Sequence, residues 1–221
     1  MFFRGPQTPP PPNRSTQERE YPFHVYLSHA HEDFLVVERL WHALEGIGLR
    51  AYMYEHYPHP GRSVESAVIG ALNDSAEIIS FLTDAGAGAA WVHQELGAAL
   101  ALGKTIVPVI DVATVQVPGF TPMLTPIHYS PKKPEATLGE LLCLLRADFN
   151  RMDADISVQC PTCLAHQRVV LPNIPDTRTA MSDEKPIGPH QCRSCPENLF
   201  LSPFTFEAMS QQLALGRAWS E

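Results

Sequence analysis

The chain has 221 residues, enough for one ordinary domain plus a small one, and its 44% hydrophobic content supports a packed core without covalent staples. A formal charge of -8, with no strongly basic segment, argues against a general binder of nucleic acid or of anionic membrane. No stretch approaches the length of a membrane span, and Met1-Phe2-Phe3-Arg4-Gly5-Pro6 offers no secretory apolar run, so the expectation is a soluble, cytoplasmic protein.

Residues 1–20 contain Pro9-Pro10-Pro11-Pro12 followed by polar residues, which predicts a disordered or extended lead. Phe23–Ser28 reads as a first strand. Phe34, Val37, Leu40, Trp41, Leu44 and Ile47 then fall at helical spacing, with Gly46 and Gly48 as the stop. Leu49–Tyr54 reads as a second strand, followed by a breaker-rich loop from His56 to Gly61. Ser63 is placed to cap a helix running to Leu72, with Glu65 in its first turn. Glu77–Leu82 reads as a buried strand, and Asp84–Ala90 as a flexible Ala/Gly loop. A helix from about Ala90 to Leu102 follows, then strands at Thr105–Ile110 and Ile127–Tyr129. The pattern Thr137-x-x-Glu140 predicts a capping box opening a helix to about Phe149. Strands separated by helices indicate βαβ units. Five such strands predict an α/β, flavodoxin-like, doubly wound parallel sheet over residues 21–150, with ligands at the carboxyl ends of its strands.

Residues 151–221 have scattered prolines and short apolar runs, the pattern of a small domain that needs a metal. Cys160-Pro161-Thr162-Cys163 and Cys192-Arg193-Ser194-Cys195 are separated by 28 residues. Two CxxC turns aimed at one ion make a closed tetrahedral zinc site. Pro172, Pro175, Pro186 and Pro189 suggest that the intervening segment is looped out. A thioredoxin-like redox pair is the alternative, and it explains one CxxC rather than two. A closed four-thiolate site leaves no position for substrate, so the Zn2+ would be structural. The unit resembles a zinc ribbon; its net acidity favours a protein partner or a sensed ligand over nucleic acid. Cys143, within Leu141-Leu142-Cys143-Leu144-Leu145, reads as inert core.

The stretch Trp91-Val92-His93-Gln94-Glu95 puts Trp91 and Glu95 four residues apart on one helical face. It leads through an apolar helix into Gly103-Lys104-Thr105-Ile106-Val107-Pro108-Val109-Ile110-Asp111. On spacing alone, Glu95 could simply be a first-turn acid that complements the helix dipole. Together with Val25-Tyr26-Leu27-Ser28-His29-Ala30-His31-Glu32-Asp33 and Pro60-Gly61-Arg62-Ser63, however, this order resembles a TIR (Toll/interleukin-1 receptor) domain over about residues 21–150. It is similar to the branch of that family that cleaves NAD+.

The resemblance implies that Glu95 is the catalytic glutamate. It places Tyr26, Ser28 and His29 at the nucleotide-contacting end of the first strand and Arg62 in the BB loop. Each has a plainer reading: turn capping for Ser28, solvated loop histidines for His29 and His31, a solvated cation for Arg62. Trp91 either shapes the pocket or packs in the core. Tyr54, followed by Glu55, stands where the family often has an acid, a departure that bears on product choice. The implied activity is that of an NAD+ glycohydrolase or ADP-ribosyl cyclase in prokaryotic anti-phage immunity. Such enzymes self-associate through TIR domains, one molecule's BB loop completing another's site. A non-enzymatic TIR adaptor and a nucleoside deoxyribosyltransferase-like enzyme are the alternatives; an adaptor has no need of Glu95.

Overall fold

Strand β1 (Phe23–Ser28) directs alternate side chains to two buried faces, and that alternation organises the N-terminal part of the molecule. The computed structural model describes residues 21–57, 60–61, 63–111, 124–151, 154–183, 185–203 and 206–216. The Pro-rich lead expected over residues 1–20 lies outside the described residues. After β1 come α1 (Phe34–Gly46), β2 (Ala51–Tyr52), α2 (Val64–Asn73), β3 (Ser75–Leu82), α3 (Asp84–Gly88), α4 (Ala90–Ala101), β4 (Thr105–Ile110), β5 (Ile127–His128) and α5 (Pro134–Asp148). The five strands form one parallel sheet in the order β2-β1-β3-β4-β5. This is the doubly wound α/β topology expected from the alternation of strands and helices.

One face of the sheet carries Val25, Leu27, Ile79, Phe81 and Val109 against α1 and α5, whose Val37, Leu40, Leu44, Leu138, Leu141 and Leu145 pack there. The other carries Tyr26, Tyr52, Ile78, Leu82, Ile106 and Ile110 against α2 and α4. The period of two therefore sends Tyr26 and Ser28 toward α4, the helix that bears Glu95.

Three local expectations for this part need correction. The second strand is only two residues long. Beyond Met53 the chain curls into a 3-10 turn, Tyr54–His56, in which the His56 ring stacks on Trp41 at 4.1 Å, so the ladder with β1 ends early. The expected loop at Asp84–Ala90 contains the short helix α3, because Thr83 Oγ1 accepts from the Gly86 amide at 3.1 Å. A side chain at Gly86 would collide with the Phe81 carbonyl oxygen, so glycine permits this tight return onto β3. Helix α5 begins at Pro134, in the first-turn position that suits proline, not at a Thr137 capping box. Thr137 instead donates from the helix interior to the His128 carbonyl at 3.0 Å. By contrast, Ser63 caps α2 as expected, accepting from the Ser66 amide at 3.2 Å.

The C-terminal residues form two small antiparallel sheets. One pairs β6 (Asp155–Gln159) with β7 (His166–Val170). The other has β8 (Ile187–Gln191), β9 (Asn198–Leu201) and β10 (Ala208–Ser210), with β9 central. The segment expected to be looped out carries α6 (Ile174–Ser182), which begins with the Asn173 side chain accepting from the Asp176 amide at 2.9 Å. A short helix, α7 (Gln211–Gly216), follows β10. Ile156, Val158, Val169, Leu199 and Leu201 belong to the same apolar cluster as Ala43 and Ile47 of the first part.

Arg146 ties the two parts together. It is fully buried, and its guanidinium donates to the carbonyls of Arg151 (3.2 Å) and Pro172 (2.8 Å) and to Thr177 Oγ1 (3.1 Å). A planar donor set in a dry site is worth far more than a surface charge, because its loss strands several buried acceptors. Arg146→Met is therefore expected to lower unfolding stability by about 2–4 kcal/mol. Urea denaturation measures this; an unchanged midpoint and slope would contradict the linking role.

Candidate functional site

Helix α4 starts at Ala90, so Glu95 lies in its second turn and is not a first-turn acid complementing the dipole. Two strand residues hold its carboxylate. Tyr26 Oη donates to Oε1 at 2.8 Å, and Ser28 Oγ donates to Oε2 at 2.6 Å. Ser28 is thus a partner of Glu95. Burial pushes the Glu95 carboxyl above its ordinary value of 4.5; the bonds from Ser28 and Tyr26 pull the other way, and the charge of Glu55 adds to the rise. Burial and the Glu95 carboxylate push the Tyr26 phenol upward, which keeps it a donor. Tyr52, stacked on Tyr26 at 5.2 Å, is pushed up to about 12, mainly by burial.

These groups border a cleft of about 390 Å³ at the carboxyl end of the sheet, a size suited to a small ligand. Its walls come from β1 (Tyr26), the loop after it (His29), the turn after β2 (Tyr54, Glu55), α2 (Val68) and α4 (Glu95). Trp91 stands at the edge with 50% of its surface exposed, its indole N–H donating to the His29 carbonyl at 3.2 Å. It is a cleft residue and not core packing. Tyr54, Val64 and Ile69 are likewise exposed and border the same cleft. The structure therefore brings Tyr26, His29, Tyr54, Trp91 and Glu95 to one cavity, with Ser28 bonded behind Glu95. Arg62 lies outside the described residues.

His29 departs from the solvated-loop expectation, being only 7% exposed. Its Nδ1 faces the Leu27 carbonyl at 3.3 Å, and its buried Nε2 faces Glu55 Oε1 at 3.5 Å without a hydrogen-bond partner among the described residues. His31 is exposed and borders the cleft. Glu55 and Gln94 were not expected as site residues, although both line the cleft. The available signal was their adjacency to Tyr54 and Glu95; the turn that swings Glu55 toward His29 has no periodic signature.

The second cluster is formed by Cys160, Cys163, Cys192 and Cys195, whose sulfurs all lie within 4.8 Å of one another. Each CxxC occupies the connection of a hairpin, the first between β6 and β7 and the second between β8 and β9. The Cys160–Cys195 and Cys163–Cys192 sulfur distances are 3.8 and 3.7 Å. A disulfide needs about 2.05 Å. A tetrahedron of thiolates at about 2.3 Å from a metal sets sulfurs about 3.8 Å apart, so the group fits a metal ion. Backbone hydrogen bonds, that of Cys163 foremost, lower the Cys160 thiol to about 7, whereas Cys163 is pushed up and Cys195 up to about 12, so without an ion these thiols do not share one ionisation state. The Ser194 amide donates to Cys192 Sγ at 3.4 Å. Cys143 is buried in α5, apart from this cluster. Among the described residues, no helix is long and apolar enough to cross a membrane.

The family model described as TIR domain matches residues 25–142. Among solved structures, the chain is similar to the TIR domain of the Toll-related receptor TRR-2 from the lower metazoan Hydra magnipapillata, at 20% identity and a TM-score of 0.48, covering 56% of this chain and 98% of that one. It is similar to the TIR domains of the activated Roq1 resistosome directly recognizing the pathogen effector XopQ, at 26% identity and a TM-score of 0.38, covering 40% of this chain and 57% of that one. It is also similar to a metazoan TIR-STING receptor from C. gigas in complex with 2′,3′-cGAMP, at 18% identity and a TM-score of 0.47, covering 55% of this chain and 40% of that one. The match thus spans less than two thirds of the length of the last two. No curated protein matches the chain.

The balance of forces on Glu95 can be read without any substrate. Carbon-13 NMR titration of its carboxyl should give a midpoint above 4.5, and Ser28→Ala, by removing the larger lowering interaction, should raise it further. A midpoint at or below 4.5 in the parent protein would contradict the burial argument.

Proposed function

This chain belongs to the TIR domain family, and from that premise we propose that it cleaves NAD+ at the bond between nicotinamide and ribose, with Glu95 as the catalytic residue. The observation that carries this reading is the partly buried carboxylate of Glu95, fixed by Tyr26 and Ser28 at an aromatic-edged cleft. As the C1–N bond breaks, its electron pair goes to the pyridinium nitrogen, nicotinamide departs neutral, and the ribose becomes oxocarbenium-like. A carboxylate beside the ribose stabilises that positive charge, and more so where burial weakens solvent screening. Fixed in advance by two hydroxyl donors, it needs little reorganisation as the charge develops. Water then yields ADP-ribose and a proton; a nucleophile from the adenosine half yields a cyclic product. Trp91 and Tyr54 supply aromatic surface for the departing ring, and Arg62 a cation for phosphate.

The exposed side chains Tyr54, Val64, Ile69 and Trp91 form an apolar rim, which favours self-association over this face. A non-enzymatic adaptor would use such a rim as well, but it would not need the two hydroxyl donors on Glu95. In this reading the protein acts in the cytoplasm, where NAD+ is abundant and thiols stay reduced.

Glu95→Gln keeps the side chain's shape and removes its charge. It is expected to lower the NAD+ turnover number by at least about 100-fold with an unchanged circular dichroism spectrum. Turnover per molecule in the parent should rise with protein concentration as light scattering reports larger species. Parent-like turnover in Glu95→Gln sinks the catalytic assignment. Constant specific activity from a confirmed monomer removes self-association and leaves Glu95 standing.

The four cysteines, in the same reading, bind one structural Zn2+ that takes no part in the reaction. Elemental analysis should find about one zinc per chain. Cys192→Ser should destabilise the hairpins around the cluster more than the parallel sheet, as hydrogen exchange would resolve. Folded, metal-free protein with reduced thiols would contradict the zinc site.

A further inference from the structure

Glu55 and His29 form a pair that the cleavage step above does not use. Glu55 enters the cleft from the turn after β2, and His29 from the loop after β1. They meet at 3.5 Å between Nε2 and Oε1, an ion-pair distance too long for a direct hydrogen bond. The histidine side chain is 4% exposed and that of Glu55 35% exposed. Both ring nitrogens face oxygen acceptors: the Leu27 carbonyl at Nδ1 and the Glu55 carboxylate at Nε2. A carboxylate and a carbonyl only accept, so either ring nitrogen has an acceptor in front of it when it carries the proton. Among the described residues the buried nitrogen has no other partner, and its direction is set by the contact at Nδ1. Glu55 thus has a buried ring behind it at ion-pair distance, while part of its side chain is open to water.

Two carboxylates then stand in one cleft with different surroundings. Glu95 is capped by two hydroxyl donors at its two oxygens. Glu55 keeps accepting capacity toward solvent and lies near enough for its charge to bear on Glu95 and Tyr26. Neutral nicotinamide requires no acid to leave, but an incoming water must lose a proton when its oxygen bonds to the ribose carbon. A single carboxylate fully engaged in stabilising positive charge is poorly placed to take that proton as well.

We propose that Glu55 is the general base of the hydrolytic step and that His29 is the residue that positions it. The proposal rests on the NAD+-cleaving reading and deepens it by assigning the second half of the reaction. The oxygen of water bonds to the ribose C1 as the C1–N bond breaks, and the bonding pair leaves with nicotinamide. The water proton passes to the Glu55 carboxylate and from there to solvent. His29, packed behind the opposite oxygen, keeps the accepting oxygen turned into the cleft. A hydroxyl nucleophile from the substrate's own adenosine half would lose its proton to the same group.

The test is steady-state kinetics of NAD+ cleavage by Glu55→Gln, with and without azide. Gln fills the same space and cannot accept a proton. The turnover number should fall by about 100-fold while KM stays within about twofold, the signature of a group that acts in the transition state. Azide has no proton to lose, so it should restore nicotinamide release and leave an ADP-ribosyl azide product. His29→Leu should lower the turnover number less than Glu55→Gln does, and His29→Gln, which keeps a donor toward Glu55, should recover part of that loss. Unchanged turnover in Glu55→Gln, a loss carried by KM, or a loss that azide fails to restore in protein with the parent melting curve overturns the proposal. Glu55→Asp, read by the same split against the parent, decides the matter if the Gln variant does not fold. Parent protein that leaves NAD+ intact overturns the NAD+-cleaving reading and this proposal together. Parent protein that cleaves NAD+ while Glu55→Gln matches it overturns this proposal alone.

Discussion

The two hydrogen bonds on Glu95 join helix α4 to strand β1, and much of the cleft depends on that joint. Tyr26 and Ser28 reach the carboxylate because they are two residues apart on one strand and so share a face. A slip of one residue in the pairing of β1 with β3 would turn Val25 and Leu27 toward α4 and send both hydroxyls into the opposite core. The stack of Tyr26 on Tyr52, and of Tyr52 on Tyr57 at 5.0 Å, holds the same register from the β2 side. The apolar packing of the sheet thereby fixes the position of one polar group. That group is partly desolvated, which raises its affinity for protons and also its electrostatic effect on a nearby positive charge.

Much of this arrangement is legible in the amino-acid pattern. The bounds of β1 and β4 are those read from their apolar runs, and α1 ends where Gly46 and Gly48 predict, with Gly48 at a φ of 76°. Glu95 stands out because a carboxylate leading into the apolar run from Leu96 to Ala101 needs a reason. The features that escape a pattern reading are those fixed by single tertiary contacts. Strand β2 is short because His56 stacks on Trp41, and α3 exists because Thr83 caps it while donating to Asp33 at 2.7 Å. The burial of His29 follows from neighbours distant in sequence and not from its own flanks. Helix α6 was hidden by Pro172 before it and Pro175 within it, although Pro175 lies in the first turn, where proline is tolerated.

The C-terminal part solves a different problem. Its strands are short and its two sheets small, so each buries little apolar surface alone. Two constraints compensate: the four-cysteine cluster, which pins two hairpin connections to one point, and contact with the larger part through the shared apolar cluster and Arg146. Arg146 lies on α5, which packs on the α1 side of the sheet, whereas Glu95 lies on the α2–α4 side. The cluster and the cleft are thus attached to opposite faces of one sheet.

The most direct test of the account is to follow NAD+ by proton NMR in the presence of the purified, concentrated protein. The account predicts loss of the nicotinamide-riboside signals with stoichiometric appearance of free nicotinamide, together with ADP-ribose or a cyclic form of it. NAD+ that stays intact in the presence of the folded, assembled protein would contradict it.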